Sequence, residues 1–262
     1  FSSEQLSQPC ELDFRAPHNL HLETFLYKSA KLFAIGFIIS SLEFINFNII
    51  LFADLGPKPG NFEIILINDD IKKKEFVDAL SNLDQRIRVI HNEKNLGAGL
   101  SRNMGIKSTK GEYIAFCDCD DLWKKKKLEI QINFMKQFNL NFSFTSYDII
   151  DENNNFLSTR KAANNVNFNK LRNSCDIGLS TVIIKKSIFD NDKYKFANLK
   201  TKEDYVLWLK LAFDNIEMKG IDENLTSWRK NKQSLSSSTI QKLLDGYRVY
   251  RIYLGYGVIK SL

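Results

Sequence analysis

A short apolar run that ends in three acids constrains this chain more than any other feature. Tyr113 to Cys117 is apolar, and Asp118, Asp120 and Asp121 follow it. A run of this length indicates a buried strand, so the acids would lie at the carboxyl edge of a sheet, where open α/β folds bind ligands. Three neighbouring carboxylates repel one another unless a cation lies between them. Oxygen ligands in this number suit Mg²⁺ or Mn²⁺.

The same acids also fit a solvated turn that caps the following helix, because Asp is a favoured N-cap residue. A calcium loop does not fit, although Asp118, Asp120 and Glu129 occupy its first, third and twelfth positions. Leu122 stands where a fifth-position oxygen ligand belongs, and Trp123 stands where the sharp turn requires Gly. The choice between a metal site and a capping turn therefore depends on the rest of the chain.

Predicted strands and helices alternate through residue 138. The predicted strands are 34–39, 62–68, 86–91 and 113–117, and the predicted helices are 42–52, 72–83, 99–107 and 124–138. Alternation of this kind is typical of a parallel sheet with crossover helices. Further along the chain, strands are predicted at 142–147 and 178–185 and a helix at 205–213. Because no internal repeat or low-complexity linker separates these elements, we expect one domain.

The first 30 residues are polar and irregular, and we assign them no structure. An apolar run at 32–39 follows, but its extension to Phe52 is interrupted by Glu43, Asn46 and Asn48. A membrane helix requires about 20 apolar residues with few charges, so we prefer a buried strand followed by a helix. The chain begins with phenylalanine rather than methionine, which is consistent with a fragment, and no signal peptide is evident.

Composition limits the functions that are open to the chain. At 262 residues, with 44% hydrophobic and 26% charged residues, it has the size and balance of a globular protein with one good core. A net charge of +6 and a pI of about 9.0 favour anionic partners such as nucleotides, phospholipid headgroups or nucleic acid. The four cysteines lack paired zinc spacing, which indicates free thiols in a reducing compartment. With three histidines, we expect no histidine-rich metal site.

Five polar segments follow one another in order between residues 61 and 238. They are NFEIILINDD at 61–70, RIRVIHNEKNLG at 86–97 with SRNMG at 101–105, FCDCDDLW at 116–123, KEDYVLW at 202–208, and WR at 228–229 with SLS at 234–236. In this order and spacing they resemble the motifs of the family 2 glycosyltransferases, the inverting enzymes of the GT-A fold. The resemblance implies an α/β fold over residues 31–238, with a Rossmann-like, mostly parallel central sheet flanked by helices and C-terminal helices on the acceptor side.

The resemblance also implies the donor side of the site. The expected donor is a nucleotide-diphosphate sugar, and its nucleotide is expected to contact Asp69, Asp70, Arg102 and Asp118. The expected cofactor is Mg²⁺ or Mn²⁺, held by the acidic triplet. In this set Asp120 or Asp121 would bind the cation, and Asp118 would lie beside it. The cation would stabilise the charge that develops on the departing diphosphate.

On the acceptor side, the resemblance implies that Asp204 is the general base for an acceptor hydroxyl. Glu203 is expected to orient Asp204 or to bind the acceptor. Taken alone, these two acids also fit a helix N-terminus favoured by the macrodipole, and the motif series favours the catalytic interpretation. Further acceptor contacts are expected from Trp208, Trp228 and Arg229.

Two other functions stay open. The family's first strand ends in Pro-x-Tyr-Asn, and residues 37–43 lack these residues, while the usual Asp-Gly-Ser is replaced by Asp70-Ile-Lys72. This altered front end fits a non-catalytic relative that binds sugar or nucleotide. A nucleotidyltransferase would share the acids at the sheet edge, but its glycine-rich phosphate loop is absent from Ser40 to Glu43.

Two basic stretches have alternative interpretations. Lysines 124–127 form either a solvated face or a surface that attracts a phosphorylated substrate. The aromatic and basic stretch 239–262 is predicted to be a helix of the same domain, with Leu243, Tyr247, Tyr250 and Leu254 on one stripe. It either packs on the core or lies near lipid. The expected acceptor is a saccharide or a lipid-linked saccharide, with no nucleic-acid partner, in the cytoplasm or at the inner face of the membrane.

Overall fold

A computed structural model describes residues 47–52, 62–231 and 239–257, the first range by its backbone alone. The strands are β1 (Phe47–Phe52), β2 (Glu63–Asn68), β3 (Ile87–His91), β4 (Tyr113–Ala115), β5 (Leu122–Trp123), β6 (Phe142–Ile150), β7 (Phe156–Arg160), β8 (Asn165–Val166), β9 (Ile183–Lys185) and β10 (Met218–Arg229). The helices are α1 (Lys74–Ser81), α2 (Ala98–Ser108), α3 (Lys127–Gln137), α4 (Phe168–Asn173), α5 (Glu203–Phe213) and α6 (Thr239–Arg248). Short 3-10 helices lie at Ile71–Lys73, Leu179–Thr181 and Lys186–Asp190, and a π-helical turn lies at Val249–Tyr253.

The strands form two mixed sheets rather than one mostly parallel sheet. A three-stranded sheet has the order β1-β2-β3, and a seven-stranded sheet has the order β4-β9-β6-β10-β5, with β7 on β6 and β8 on β10. The β2–β3 and β6–β10 pairs are parallel, and the other pairs are antiparallel. Alternation predicted the α/β class correctly. It could not predict the pairing of β4 with β9, which comes from the second half of the chain.

The first described strand corrects one prediction. Residues 47–52 belong to a strand, and the predicted helix at 42–52 is wrong over this range. β1 pairs antiparallel with β2, with Phe47 opposite Asn68 and Phe52 opposite Glu63. The β-branched and aromatic residues of FNIILF favour a strand where a neighbouring strand is present. The predicted strand at 34–39, the altered segment 37–43 and the unassigned first 30 residues lie outside the described residues.

Helix α5 is buried on nearly every side, which fixes the position of its N-terminus. Its buried residues include Val206, Leu207, Leu209 and Leu211. A helix that is apolar all round belongs in a core. Because this helix begins at Glu203, its burial holds the two acids of the KED segment on a rigid support.

Trp208 is part of this core, so its predicted contact with the acceptor is wrong. The side chain is 0% exposed. Its ring packs edge-to-face against Phe142 and Phe196, with centroids 5.0 Å and 6.2 Å apart. An aromatic side chain one turn beyond the predicted base fits a substrate contact by sequence, but here it packs into the core because α5 is covered.

The lysine run divides between core and surface. Lys127 is 0% exposed, and its Nζ donates to Gln131 Oε1 at 2.5 Å and to Thr181 O at 3.3 Å. Burial lowers the pKa of Lys127 to about 7. Lys124 is exposed and pairs with Asp148 at 3.0 Å. Four consecutive lysines therefore do not share one basic face.

Helix α6 and the turn after it pack on the protein through a stripe that matches the predicted one only in part, since Leu254 packs against the core. Asp245 and Val249 are 0% exposed, whereas Leu243 is 69% exposed. Asp245 accepts hydrogen bonds from Thr201 and Gln241 that satisfy its buried carboxylate. These bonds explain how a charged residue can lie on the packed face of the helix. None of the helices in the described ranges is long and apolar enough to cross a membrane.

Candidate active site

A single buried guanidinium joins two acidic segments that are far apart in sequence. Arg102, on α2, is 4% exposed. Its Nη2 donates to Asp118 Oδ1 at 2.8 Å, and its Nη1 donates to Glu203 Oε1. Asp118 follows β4, and Glu203 begins α5. The structure therefore brings the acidic loop (residues 118–121), the SRNMG segment and the KED segment into one site.

The ionisation of Arg102 reflects this double pairing. Burial works to lower the pKa of its guanidinium, but the carboxylates of Asp118, Glu203 and Asp204 outweigh burial and raise it. A buried charge is tolerated when its partners hydrogen-bond to it with good geometry. Arg102 is thus a permanent cation between the two acidic segments. Its Nη1 and Nη2 both donate to protein carboxylates.

A close approach of two helices makes this bridge possible. A Cβ atom at Gly99 would lie 2.4 Å from Ala197 O and 3.1 Å from Glu203 Cβ. A larger residue would therefore push α2 away from the start of α5. Sequence reasoning missed Gly99, because one glycine near the start of a helix has no distinctive pattern.

Asp204 has the ionisation behaviour of a general base. Its side chain is partly exposed, and Oδ1 accepts a hydrogen bond from Tyr205 N at 2.7 Å. Burial and the neighbouring Glu203 carboxylate raise the pKa of Asp204 to about 7, while Arg102 and the Tyr205 amide act in the opposite direction. A carboxylate that titrates near neutral pH accepts a proton far more readily than an ordinary aspartate.

The acidic loop is held by Ser180, a residue that sequence reasoning missed. Asp118 N donates to Ser180 Oγ at 2.9 Å, and Trp123 Nε1 donates to Ser180 O at 2.7 Å. Within the loop, Asp121 N donates to Asp118 O at 3.0 Å. One buried serine thus fixes both ends of the loop. A serine 57 residues beyond Trp123 has no local signal that would link it to the loop.

Asp121 makes a structural contact with the backbone of β10, and its assignment as a metal ligand stays a prediction. It is 4% exposed, and Oδ1 accepts a hydrogen bond from Arg229 N at 2.9 Å. The Ser180 hydroxyl lowers the pKa of Asp121, yet no hydrogen bond of normal geometry reaches its buried Oδ2. Burial, followed by the charges of Asp120 and Asp118, raises the pKa of Asp121 well above its usual range.

Arg229 is also structural, so its predicted contact with the acceptor is wrong. The residue is 9% exposed. Its Nε donates to Asp120 O at 2.8 Å, and its Nη1 donates to Asp151 O at 3.1 Å and Glu152 O at 3.2 Å. These bonds join the end of β10 to two turns. The neighbouring Trp228 is partly exposed, and its contact with an acceptor stays a prediction.

Asp69 organises a loop, and its carboxylate is not free to bind a nucleotide as predicted. It is 4% exposed and accepts hydrogen bonds from Asn92 Nδ2, Leu96 N and Gly97 N, each at 2.7 Å. Asp70 is partly exposed and accepts a hydrogen bond from Lys72 N at 3.1 Å. Of the two acids after β2, Asp70 keeps the predicted nucleotide contact.

The acidic loop offers two partly exposed carboxylates for a cation. No group of three or more His, Cys, Asp or Glu side chains forms a metal site within the ranges that the structure describes. Asp118 and Asp120 are both partly exposed. Burial and repulsion from Asp118 raise the pKa of Asp120 to about 6. A divalent cation would relieve this repulsion, and Mg²⁺ binds through one or two carboxylates together with phosphate oxygens, so Asp118 and Asp120 fit such a cation.

Comparisons with known proteins agree with this geometry. A family model described as "Glycosyl transferase family 2" matches residues 49–195. Two Escherichia coli UDP-Glc:alpha-D-GlcNAc-diphosphoundecaprenol beta-1,3-glucosyltransferases are similar to the chain. WfgD is 33% identical and WfaP is 31% identical, each over 185 residues that make up 70% of this chain and 72% of the relative.

Among solved structures, the S. aureus TarS 1-349 complex with UDP-GlcNAc superposes with a TM-score of 0.59 at 18% identity. The match covers 76% of this chain and 60% of the TarS chain, so the chain spans less than two thirds of that structure. At this identity the likeness establishes the fold, which is the GT-A fold that the motif series predicted.

The bridge made by Arg102 leads to a test of stability. Arg102→Met leaves Asp118 and Glu203 without their cation, and we expect a loss of about 3–5 kcal/mol in the free energy of unfolding at pH 7. The loss should be smaller at pH 5, because protonation neutralises the unpaired acids. Urea denaturation at the two pH values measures it.

The matched control is Arg160→Met, which breaks a 2.6 Å pair with Asp176 whose side chains are 55% and 51% exposed. Removal of this surface pair should cost at most about 1 kcal/mol. Equal losses in the two variants would contradict the buried bridge.

Proposed function

The chain belongs to glycosyl transferase family 2, and on that basis we propose that it moves a sugar from a nucleotide-diphosphate donor to an acceptor hydroxyl with inversion at the anomeric carbon. The observation that carries the proposal is the bridge from Asp118 through Arg102 to Glu203. It holds Asp204, an acid with a pKa of about 7, beside the loop that faces the donor. A direct displacement requires a base that is held in place beside the donor site.

In the proposed step, Asp204 takes the proton of the acceptor hydroxyl while that oxygen attacks the anomeric carbon. The bond between that carbon and the diphosphate oxygen breaks as the new bond forms, and the diphosphate leaves from the opposite face. Asp204 must be ionised for this step. Glu203, held by Arg102, fixes the start of α5, so its proposed role is to position Asp204.

On the donor side, we assign the nucleotide contact to Asp70 and the diphosphate end of the donor to Asp118 and Asp120. Asp69 contributes indirectly, since it shapes the 92–97 loop beside Asp70. Asp118 and Asp120 would hold Mg²⁺ or Mn²⁺. When bound, the cation neutralises charge on the departing diphosphate. Arg102, a fixed cation 2.8 Å from Asp118, orients that carboxylate.

The relatives support a more specific substrate class. WfgD and WfaP are described as transferring glucose from UDP-Glc to a sugar on diphosphoundecaprenol, and the TarS structure contains UDP-GlcNAc. We therefore propose a UDP-sugar donor and a saccharide carried on a lipid diphosphate as acceptor. Surface polysaccharide or glycolipid synthesis is the corresponding process. Trp228, which is partly exposed near the end of β10, is the proposed acceptor contact.

Helix α6 and the turn that follows it support peripheral contact with a membrane. Four large apolar side chains are well exposed there: Ile240 (73%), Leu243 (69%), Leu244 (50%) and Ile252 (67%). Exposed basic residues lie on the same segment, namely Lys242, Arg248 and Arg251. Apolar and basic side chains together suit a helix that lies in a lipid interface. We propose contact with the inner face of the membrane, where a lipid-linked acceptor would be presented.

The pKa of Asp204 predicts the pH dependence of the reaction. Because the base works only when ionised, kcat should fall as the pH drops through about 7, and by roughly tenfold for each further pH unit below the pKa. Asp204→Asn should lower kcat by at least about 100-fold at pH 8 and abolish this acid limb. Transfer of sugar from UDP-Glc and UDP-GlcNAc to a lipid-linked saccharide measures both effects. Unchanged activity in Asp204→Asn would show that Asp204 is not the general base.

The proposed cation site predicts different effects for substitutions at Asp120 and at an exposed acid outside the acidic loop. Asp120→Asn should weaken Mn²⁺ binding in the presence of UDP by about tenfold or more, measured by electron paramagnetic resonance of free Mn²⁺. Asp222→Asn, at an exposed carboxylate paired with Lys161, is the control and should bind Mn²⁺ normally. Tight Mn²⁺ binding by Asp120→Asn, or none by the unmodified chain, would contradict the site.

The exposed face of α6 predicts binding to lipid. The chain should sediment with vesicles that contain anionic phospholipid, and Leu243→Ser/Leu244→Ser should reduce the bound fraction several-fold, because about 25 cal/mol is lost for each Å² of apolar surface that no longer enters the lipid. Phe156→Ser, at a residue that is 64% exposed on β7, is the control and should sediment as before. If the unmodified chain does not pellet, the lipid contact is wrong.

A further inference from the structure

The residue before Glu203 has a strained backbone. Lys202 adopts φ 64° and ψ 14°, which is the left-handed region. A residue with a Cβ atom is disfavoured there by steric repulsion, and such a conformation persists only where the surroundings hold it. Because Lys202 is the N-cap of α5, its conformation sets the direction in which the chain enters Glu203 and Asp204.

The contact that holds this turn comes from the C-terminal helix. Asp245 Oδ2 accepts hydrogen bonds from Thr201 N and Thr201 Oγ1, both at 3.0 Å. The same oxygen accepts from Gln241 Nε2 at 2.9 Å, and Oδ1 accepts from Arg248 Nη1 at 3.0 Å. Asp245 is 0% exposed, and 44 residues separate it from Thr201. Each oxygen of a buried carboxylate is therefore engaged, and Thr201 supplies two of the four donors.

The charge of Asp245 is suited to this task. Burial disfavours the carboxylate, but hydrogen bonds from Gln241 and Thr201 prevail and lower the pKa of Asp245. Hydrogen bonds to an ionised acceptor are roughly twice as strong as those between neutral groups. At neutral pH an ionised carboxylate therefore accepts the hydrogen bonds from the backbone and the hydroxyl group of Thr201.

A second contact from the same segment reaches the other side of Asp204. Tyr205 Oη donates to Leu171 O at 2.8 Å and also lies 3.3 Å from Arg172 O, the oxygen that accepts from Tyr250 Oη at 2.9 Å. Residues 201 and 205, which flank the acids, are therefore both linked to the segment 239–257.

We propose that Asp245 is a positioning residue for the transfer reaction: through Thr201 it holds the strained turn that aims Asp204 at the acceptor hydroxyl. The proposal rests on the proposed function, in which Asp204 is the base. It gives the C-terminal helix a part in catalysis, although none of its residues lies among the motifs. Loss of the grip would leave the donor site intact and misplace the base.

Asp245→Asn tests this grip with little change in shape. An asparagine oxygen can face Thr201 or Arg248 but not both, and its amide group would oppose the donors on the other side. The control is Asp214→Asn, at the C-terminal end of the same helix α5, where the carboxylate accepts from Lys193 Nζ at 2.7 Å and Tyr194 Oη at 2.6 Å.

We expect Asp245→Asn to lower kcat by about tenfold or more while the KM for the UDP-sugar changes less than about twofold. Amide hydrogen exchange at 201–205 should become about tenfold faster in this variant, because the turn opens locally. Asp214→Asn should change neither kcat nor exchange at 201–205. Thr201→Val, which removes one of the two bonds and keeps Asp245, should show a smaller loss of kcat in the same direction, and it supplies the test if Asp245→Asn does not fold.

Amide exchange tests the positioning role of Asp245, and kinetics also test the proposed transfer reaction. If the unmodified chain transfers no sugar, the proposed function fails, while faster exchange at 201–205 in Asp245→Asn still supports the grip on the turn. Exchange at 201–205 equal to that of the unmodified chain would overturn the positioning role. So would a folded Asp245→Asn with unchanged kcat, or one in which KM for the UDP-sugar rises as much as kcat falls.

Discussion

A buried arginine between two carboxylates is the interaction on which the rest of this site depends. Arg102 is 4% exposed and pairs with Asp118 and Glu203. Glu203 is buried and Asp118 is partly exposed, and removal of Arg102 would leave the buried carboxylate of Glu203 with an uncompensated charge. The bridge requires α2 to approach the start of α5 closely, and Gly99 permits that approach. One cation thus joins the acidic loop to the start of α5.

The polar residues of the site divide into those that build it and those that face a ligand. Asp69 shapes the 92–97 loop, Asp121 and Arg229 join β10 to the acidic loop, and all three are nearly buried. Asp118, Asp120 and Asp204 are partly exposed. Burial and repulsion from Asp118 raise the pKa of Asp120, and burial and repulsion from Glu203, with a smaller effect of Asp118, raise the pKa of Asp204. A bound cation would reduce the repulsion between Asp118 and Asp120, and a proton on Asp204 would reduce its repulsion with Glu203.

The sequence was sufficient to predict the family, the fold class and the set of segments that converge, because ordered motifs at fixed spacing are specific. It did not predict which side chains of those motifs point outward. Asp69 and Asp70 are adjacent and chemically identical, yet only hydrogen bonds to the 92–97 loop distinguish them. Trp208 and Arg229 fit substrate contacts by residue type, and their burial depends on α5 and on the turns beside β10. Ser180 and Asp245 act across 62 and 44 residues, and no local pattern marks either of them.

The most direct test of the central claim is the titration of the Asp204 carboxyl group, followed by ¹³C NMR and assigned with Asp204→Asn. If acids from separate segments converge, Asp204 titrates near 7, and its pKa falls in Asp118→Asn, because the charge of Asp118 is one of the causes that raise it. A pKa near 4, typical of a solvated aspartate, or a value that Asp118→Asn does not change, would contradict the convergence.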